Sequence, residues 1–212
     1  MTGYFGKVST HGDFVTRRLP ADMSAAWDGW LQQAIQASRE QLGPQWLSHY
    51  LTSPVWRFAI APGVLGAQGW GGVMMPSVDR VGRHFPLMIA APGKLPLLDW
   101  LHRHVNWYDA LDDLARCSLD PAFTLEQFDA APEFAGIGSA EAEGSRWCMP
   151  LGQDMSAAVA GVLLQRHSLW WTEGSPAIAS SLLVCPGMPD ARGFAAMLDG
   201  SWQAGGWSVS GA

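Results

Sequence analysis

Ser77, Asp79 and His84 sit close together in the chain and are the residue types of a hydrolase triad. A triad needs a base within hydrogen-bond reach of the nucleophile and a carboxylate that orients the base. The stretch that holds them, Trp70 to Pro86 (WGGVMMPSVDRVGRHFP), shows no nucleophile turn and no oxyanion-binding segment. The competing reading is a hairpin whose Asp79 bonds its own backbone, as Asp does in turns. His11, Asp13 and His84 have the side chains of a divalent-metal site, but their spacing does not demand one. His102 and His104 stand two apart on an expected helix and so face different directions. Asp109, Asp112 and Asp113 read as a solvated helix face, without the carbonyl-rich loop of a calcium site. Phosphate-loop, dinucleotide-fold, zinc-protease and Gly-x-Ser-x-Gly signatures do not occur. Neither a cofactor nor a metal is implied.

Four arginines offer different chemistry. Arg17 and Arg18 follow a Gly-Asp pair in THGDFVTRRLP, and Arg80 and Arg83 lie in MPSVDRVGRHFP. A guanidinium fork binds carboxylates and phosphates through paired bonds. Phe14 and Phe85 lie beside the charges, and Arg and aromatic residues are enriched at binding hot spots. Asp13 and Asp79 could neutralise some of the arginines internally. The candidate partner-binding set is therefore Asp13, Phe14, Arg17, Arg18, Asp79, Arg80, Arg83 and Phe85. At least one of the arginines is expected to remain free, and the two loops are expected to lie side by side.

The elements that must position these loops can be read from periodicity. Tyr4 to Ser9 alternates like a strand. Trp27, Trp30, Leu31, Ala34, Ile35, Ser38 and Leu42 form one helical face, with Asp22 or Ser24 as its expected cap and Gly43-Pro44 as its end. A short helical piece, Gln45 to Leu51, follows. Val55–Ala61, Trp70–Val78 and His84–Ala91 read as strands, and Leu97 to Leu114 as one amphipathic helix. Gly82 suits a turn that needs positive φ. Pro121–Phe134 reads as a short helix, Gly136–Ser145 as a mobile loop, Arg146–Leu151 as a strand and Met155–Gln165 as a helix. Leu169–Thr172 and Ala179–Cys185 read as strands, and Arg192–Leu198 as a last helix. The adjacent tryptophans Trp170 and Trp171 must point to opposite sides of a strand, so both sheet faces should be covered. The expectation is an α+β fold: a central, mainly antiparallel sheet covered by helices.

Composition narrows the class further. The 212 residues are 48% hydrophobic and 15% charged, with 12 Trp. That suits a well-buried domain whose tryptophans fill the core. Residues 1–120 balance ten basic with ten acidic side chains, while residues 121–212 hold three basic and nine acidic ones. A nucleic-acid binder would show a basic stripe and a pI above about 9, but this sequence has a pI of about 5.4. The cysteines Cys117, Cys148 and Cys185 are odd in number and widely spaced, which points to reduced, buried thiols. No signal peptide and no membrane span are expected.

Four segments also carry a resemblance: GYFGKVSTHGDFVTRRLP, WDGWLQQAIQASREQLGPQWL, SPVWRFAIAPGVLG and MPSVDRVGRHFPL, in that order. Together they resemble the TagF family of type VI secretion-associated proteins, densely from Gly3 to about Pro92. The order of elements also resembles a longin-like or roadblock-like core. Residues 1–120 are then the TagF-like core, 121–204 a C-terminal extension packed on the same domain, and 205–212 a disordered tail. The resemblance implies a cytosolic, non-enzymatic repressor of secretion that acts after translation. It would bind the forkhead-associated scaffold protein of the system, or other cytoplasmic assembly components. The alternative is a hydrolase built on the Ser77/Asp79/His84 hairpin.

Overall fold

The computed structural model describes residues 1–134 and 163–209. The chain begins with β1 (Gly3–Gly6) and β2 (Val15–Arg17), then α1 (Ala21–Leu42), a 3₁₀ turn at Gly43–Gln45 and α2 (Trp46–Thr52). Strands β3 (Trp56–Ile60), β4 (Gly69–Met75) and β5 (Leu87–Gly93) come next, followed by α3 (Leu97–Arg103), α4 (Val105–Cys117) and a 3₁₀ helix, Leu125–Ala130. After the undescribed stretch come β6 (His167–Thr172), β7 (Ser181–Pro186) and α5 (Ala191–Asp199). The strands form one seven-stranded sheet in the order β2-β1-β5-β4-β3-β6-β7. Every neighbouring pair is antiparallel.

The sheet separates two apolar cores, and strand alternation assigns each side chain to one of them. Trp56, Phe58, Ile60, Trp70, Met74, Met88 and Trp170 face one side, where Trp27 and Leu31 of α1 and Phe194 of α5 pack on them. Ala59, Val73, Met75, Ile89 and Leu169 face the other side, beneath Trp100 of α3 and Tyr108 and Leu111 of α4. Trp170 and Trp171 divide between the two cores, as their adjacency requires. Close helix approach depends on glycine. A Cβ at Gly71 would lie 2.2 Å from the Trp100 ring, and one at Gly93 would lie 2.5 Å from it.

Several local expectations change. The helix expected over Leu97–Leu114 is two helices broken at His104, whose φ/ψ of −124/31 is not helical. Trp100 and Trp107 flank the break, and both pack on Phe134 (ring centroids 4.1 and 4.8 Å). No side chain caps α1: its N-cap is Pro20, and Asp22 Oδ1 accepts a bond from the adjacent Met23 N–H instead. The helix expected at Pro121–Phe134 is the shorter 3₁₀ segment, closed by a Thr124/Gln127 capping box. Asp109 and Asp112 are not a free solvated face. They hold Arg57 of β3 at 2.8 and 3.7 Å, with Glu173 at 3.2 Å. Cys117 is exposed rather than buried. Trp207, in the expected disordered tail, packs against the first core and donates to the Gly193 carbonyl at 3.2 Å. The expected loop 136–145, strand 146–151 and most of the helix 155–165 lie outside the described residues.

Candidate partner-binding surface

Strand order brings the two arginine loops together. β1 pairs antiparallel with β5, with Phe5 opposite Met88. The chain leaving β1 therefore emerges beside the connection that enters β5. Two hydrogen bonds then join the loops: Arg80 N–H donates to the His11 carbonyl at 2.9 Å, and the Arg83 side chain donates from Nη2 to the Gly12 carbonyl.

Asp79 is the hinge pin of the junction. Its Oδ1 accepts the Val81 and Arg83 N–H groups at 3.0 and 2.8 Å, closing a turn in which Gly82 has φ 87°. Its Oδ2 accepts Lys7 Nζ at 2.5 Å and Arg83 Nε at 2.7 Å. Burial by itself would raise this carboxyl. The bonds from Lys7, from the Arg83 backbone and side chain and from Val81 outweigh burial, and they hold it well below the usual carboxylate range. Lys7 is itself buried and lies 4.6 Å over the Phe14 ring, a cation–π contact. Phe14 meets Phe85 edge-on at 4.8 Å.

The hydrolase residues are otherwise engaged. Ser77 Oγ donates to the Lys7 carbonyl at 2.7 Å. Tyr50 Oη donates to the Ser77 carbonyl and accepts its N–H, at 2.8 and 2.9 Å. Burial pushes the Tyr50 hydroxyl upward, so it stays protonated. The His84 ring stands edge-on to Trp46 and Tyr50. Among the described residues Ser77 and His84 share no hydrogen bond, and no His/Cys/Asp/Glu group has the geometry to hold a metal ion.

The proposed binding residues separate by position. Asp79 and Phe85 are buried and frame the surface from below. Arg17 and Arg18 both reach Asp129 on the 3₁₀ helix, at 3.0 and 2.9 Å. Asp13 is exposed and accepts the Phe14 N–H at 2.8 Å. Arg83 keeps 58% of its side chain exposed despite its bond to Asp79. Among the described residues Arg80 alone of the four has no carboxylate partner. Sequence reasoning missed Lys7 and Val81. Val81 is 66% exposed, and Phe14 on the other loop is 42% exposed. Its place between Arg80 and Gly82, at a turn tip, was the available signal. The result is a cationic surface with apolar neighbours, suited to an anionic protein surface.

Residues 3–133 match the profile of the TagF N-terminal domain, described as type VI secretion system-associated. The chain belongs to the TagF family. It is also similar to PA0076 of Pseudomonas aeruginosa PAO1, known from a crystal structure. The two share 34% identity with a TM-score of 0.87, over 100% of this chain and 98% of that one. No curated protein matches the chain. The TagF match spans the sheet from β1 to β5, both arginine loops, and Asp129, which ties down Arg17 and Arg18. Among the described residues of this TagF-family chain, no helix is long and apolar enough to cross a membrane.

Proposed function

We propose that this chain is a cytoplasmic repressor of type VI secretion that acts after translation and by protein–protein binding, without catalysis. The observation that carries the reading is the junction of the two loops inside the TagF-matched region. A buried carboxylate clamps the junction, and Arg80, Arg83, Phe14 and Val81 are exposed on the two joined loops. The favoured partner is the forkhead-associated scaffold protein of the system, met through an acidic or phosphorylated patch. Ser77, Asp79 and His84 serve this purpose as fold-holding groups, which disfavours the hydrolase alternative.

Arg80→Ala is the cleanest test, because Arg80 has no ion pair to lose within the described residues. Calorimetric titration with the purified scaffold should show affinity weakened by about 2 kcal/mol, typical of a hot-spot arginine. The melting curve should stay within about 0.5 kcal/mol of the parent, and secretion should be derepressed. Full affinity in a folded Arg80→Ala protein would remove the loop junction from the interface.

A further inference from the structure

The sheet ends at β7, and among the described residues no strand lies beyond it. Ladder parity identifies its free backbone groups. Ala61 N–H donates to the His167 carbonyl, so residues of that parity on β6 bond towards β3. Gly187 N–H donates to the Arg166 carbonyl. Bonded and non-bonded pairs alternate along an antiparallel ladder. Cys185, Leu183 and Ser181, opposite Ser168, Trp170 and Thr172, therefore direct their N–H and C=O groups to β6. Leu182 and Val184 direct theirs to the open side. Pro186 has the same parity and no N–H to offer.

A groove of about 840 Å³ follows this edge. β7 forms one wall, and Trp202, Trp207 and Val209 line another. Leu182 and Val184 are 51% and 44% exposed. Among the described residues that line it, Asp190 is the one Asp, Glu, Lys or Arg. One of its oxygens, Oδ1, is committed to the Gly193 N–H at the start of α5.

We propose that the β7 edge is a docking site for an extended segment of a partner protein, which adds as a further strand and places a lysine or arginine near Asp190. Donor–acceptor pairs repeating every second residue are satisfied in register by another extended backbone. The apolar Leu182 and Val184 favour an alternating apolar segment. Charge favours a basic segment over a second copy, because a second copy would bring its own Asp190 to the edge and a chain of net charge −6. A six-residue edge is small, so the contact is a transient one. The site is separate from the arginine loops, so Arg80→Ala leaves it intact.

The test uses the full chain and a synthetic Lys-Val-Thr-Val-Lys peptide. Amide exchange measured by NMR should be fast at Leu182 and Val184 in the free protein and slow at Leu183 and Cys185. Peptide addition should slow Leu182 and Val184. Val184→Pro removes an outward N–H without touching the β6 ladder, and should weaken peptide binding at least about tenfold with the melting temperature kept. A peptide N-methylated at alternate residues should fail in the same way with the unaltered protein. Slow exchange at Leu182 and Val184 in the free monomer would mean the chain covers its own edge, and would overturn the proposal. A dimer that Val184→Pro dissociates would assign the edge to a second copy and overturn it too. Peptide binding indifferent to both the proline and the N-methyl groups would do the same.

Discussion

At the residue scale, one carboxylate organises the candidate surface. Asp79 joins a cation from β1's end, a guanidinium from its own turn and two backbone amides. Its folded pKa is depressed, so the stability it contributes is fully present above the ordinary carboxylate value of about 4. That contribution is lost as pH falls below this value towards the folded pKa. Asp79→Asn should therefore melt well below the parent at pH 7, and the gap should narrow below about pH 4. Calorimetric melts across that range decide it; a gap independent of pH would show that charge is not the cause. Arg83→Ala should differ from Arg80→Ala. It removes one of two cations on Asp79 and the bond to the Gly12 carbonyl, so it should lower both stability and partner affinity. Binding and melting measured on the same protein separate the two arginines.

At the element scale, helix-to-sheet fit depends on missing side chains. The Trp100 ring of α3 covers Gly71 of β4 and Gly93 of β5, where even a methyl group would collide with it. Gly71→Ala should cost about 1–3 kcal/mol by overpacking. Adding Trp100→Leu should recover part of that loss, which a double-mutant cycle by urea unfolding would detect. Strict additivity would show that the two positions do not meet. The start of α5 offers a milder case. Asp190 is its N-cap and accepts the Gly193 N–H at 2.7 Å. Asp190→Ala should cost about 1 kcal/mol, read from the same unfolding curves. A loss near zero would deny the cap its role.

At the scale of the whole molecule, the core crosses the limit of the family match. Trp27 of α1, Phe58 of β3 and Trp170 of β6 pack on one another with centroids 5.0–6.1 Å apart. All three are fully buried. Trp170 lies beyond residue 133, yet it covers the face that α1 and β3 present. A chain cut after Phe134 would expose that face and leave β3 an unprotected edge. It should lose its cooperative melt or aggregate, as followed by near-ultraviolet circular dichroism and light scattering. A sharp melt in the shortened chain would show that the TagF-matched region stands alone. In the full chain Trp27→Ala should cost about 3–5 kcal/mol through the cavity it opens.

The sequence by itself determined what depends on near neighbours. Alternation placed Trp170 and Trp171 on opposite faces, helical spacing marked the buried face of α1, and Gly82 marked a positive-φ turn. It also carried both arginine loops and the family likeness. Tertiary structure decided which charges were free, because ion pairs form through space. Arg17 and Arg18 share one carboxylate, Asp129, more than a hundred residues away, and Asp79 pairs with Lys7, 72 residues away. Arg57, unremarkable inside a strand-like run, became the centre of three carboxylates only when α4 and the end of β6 folded against β3. Arg80 is set apart from its three neighbours for the same reason: no carboxylate among the described residues folds to within reach of it.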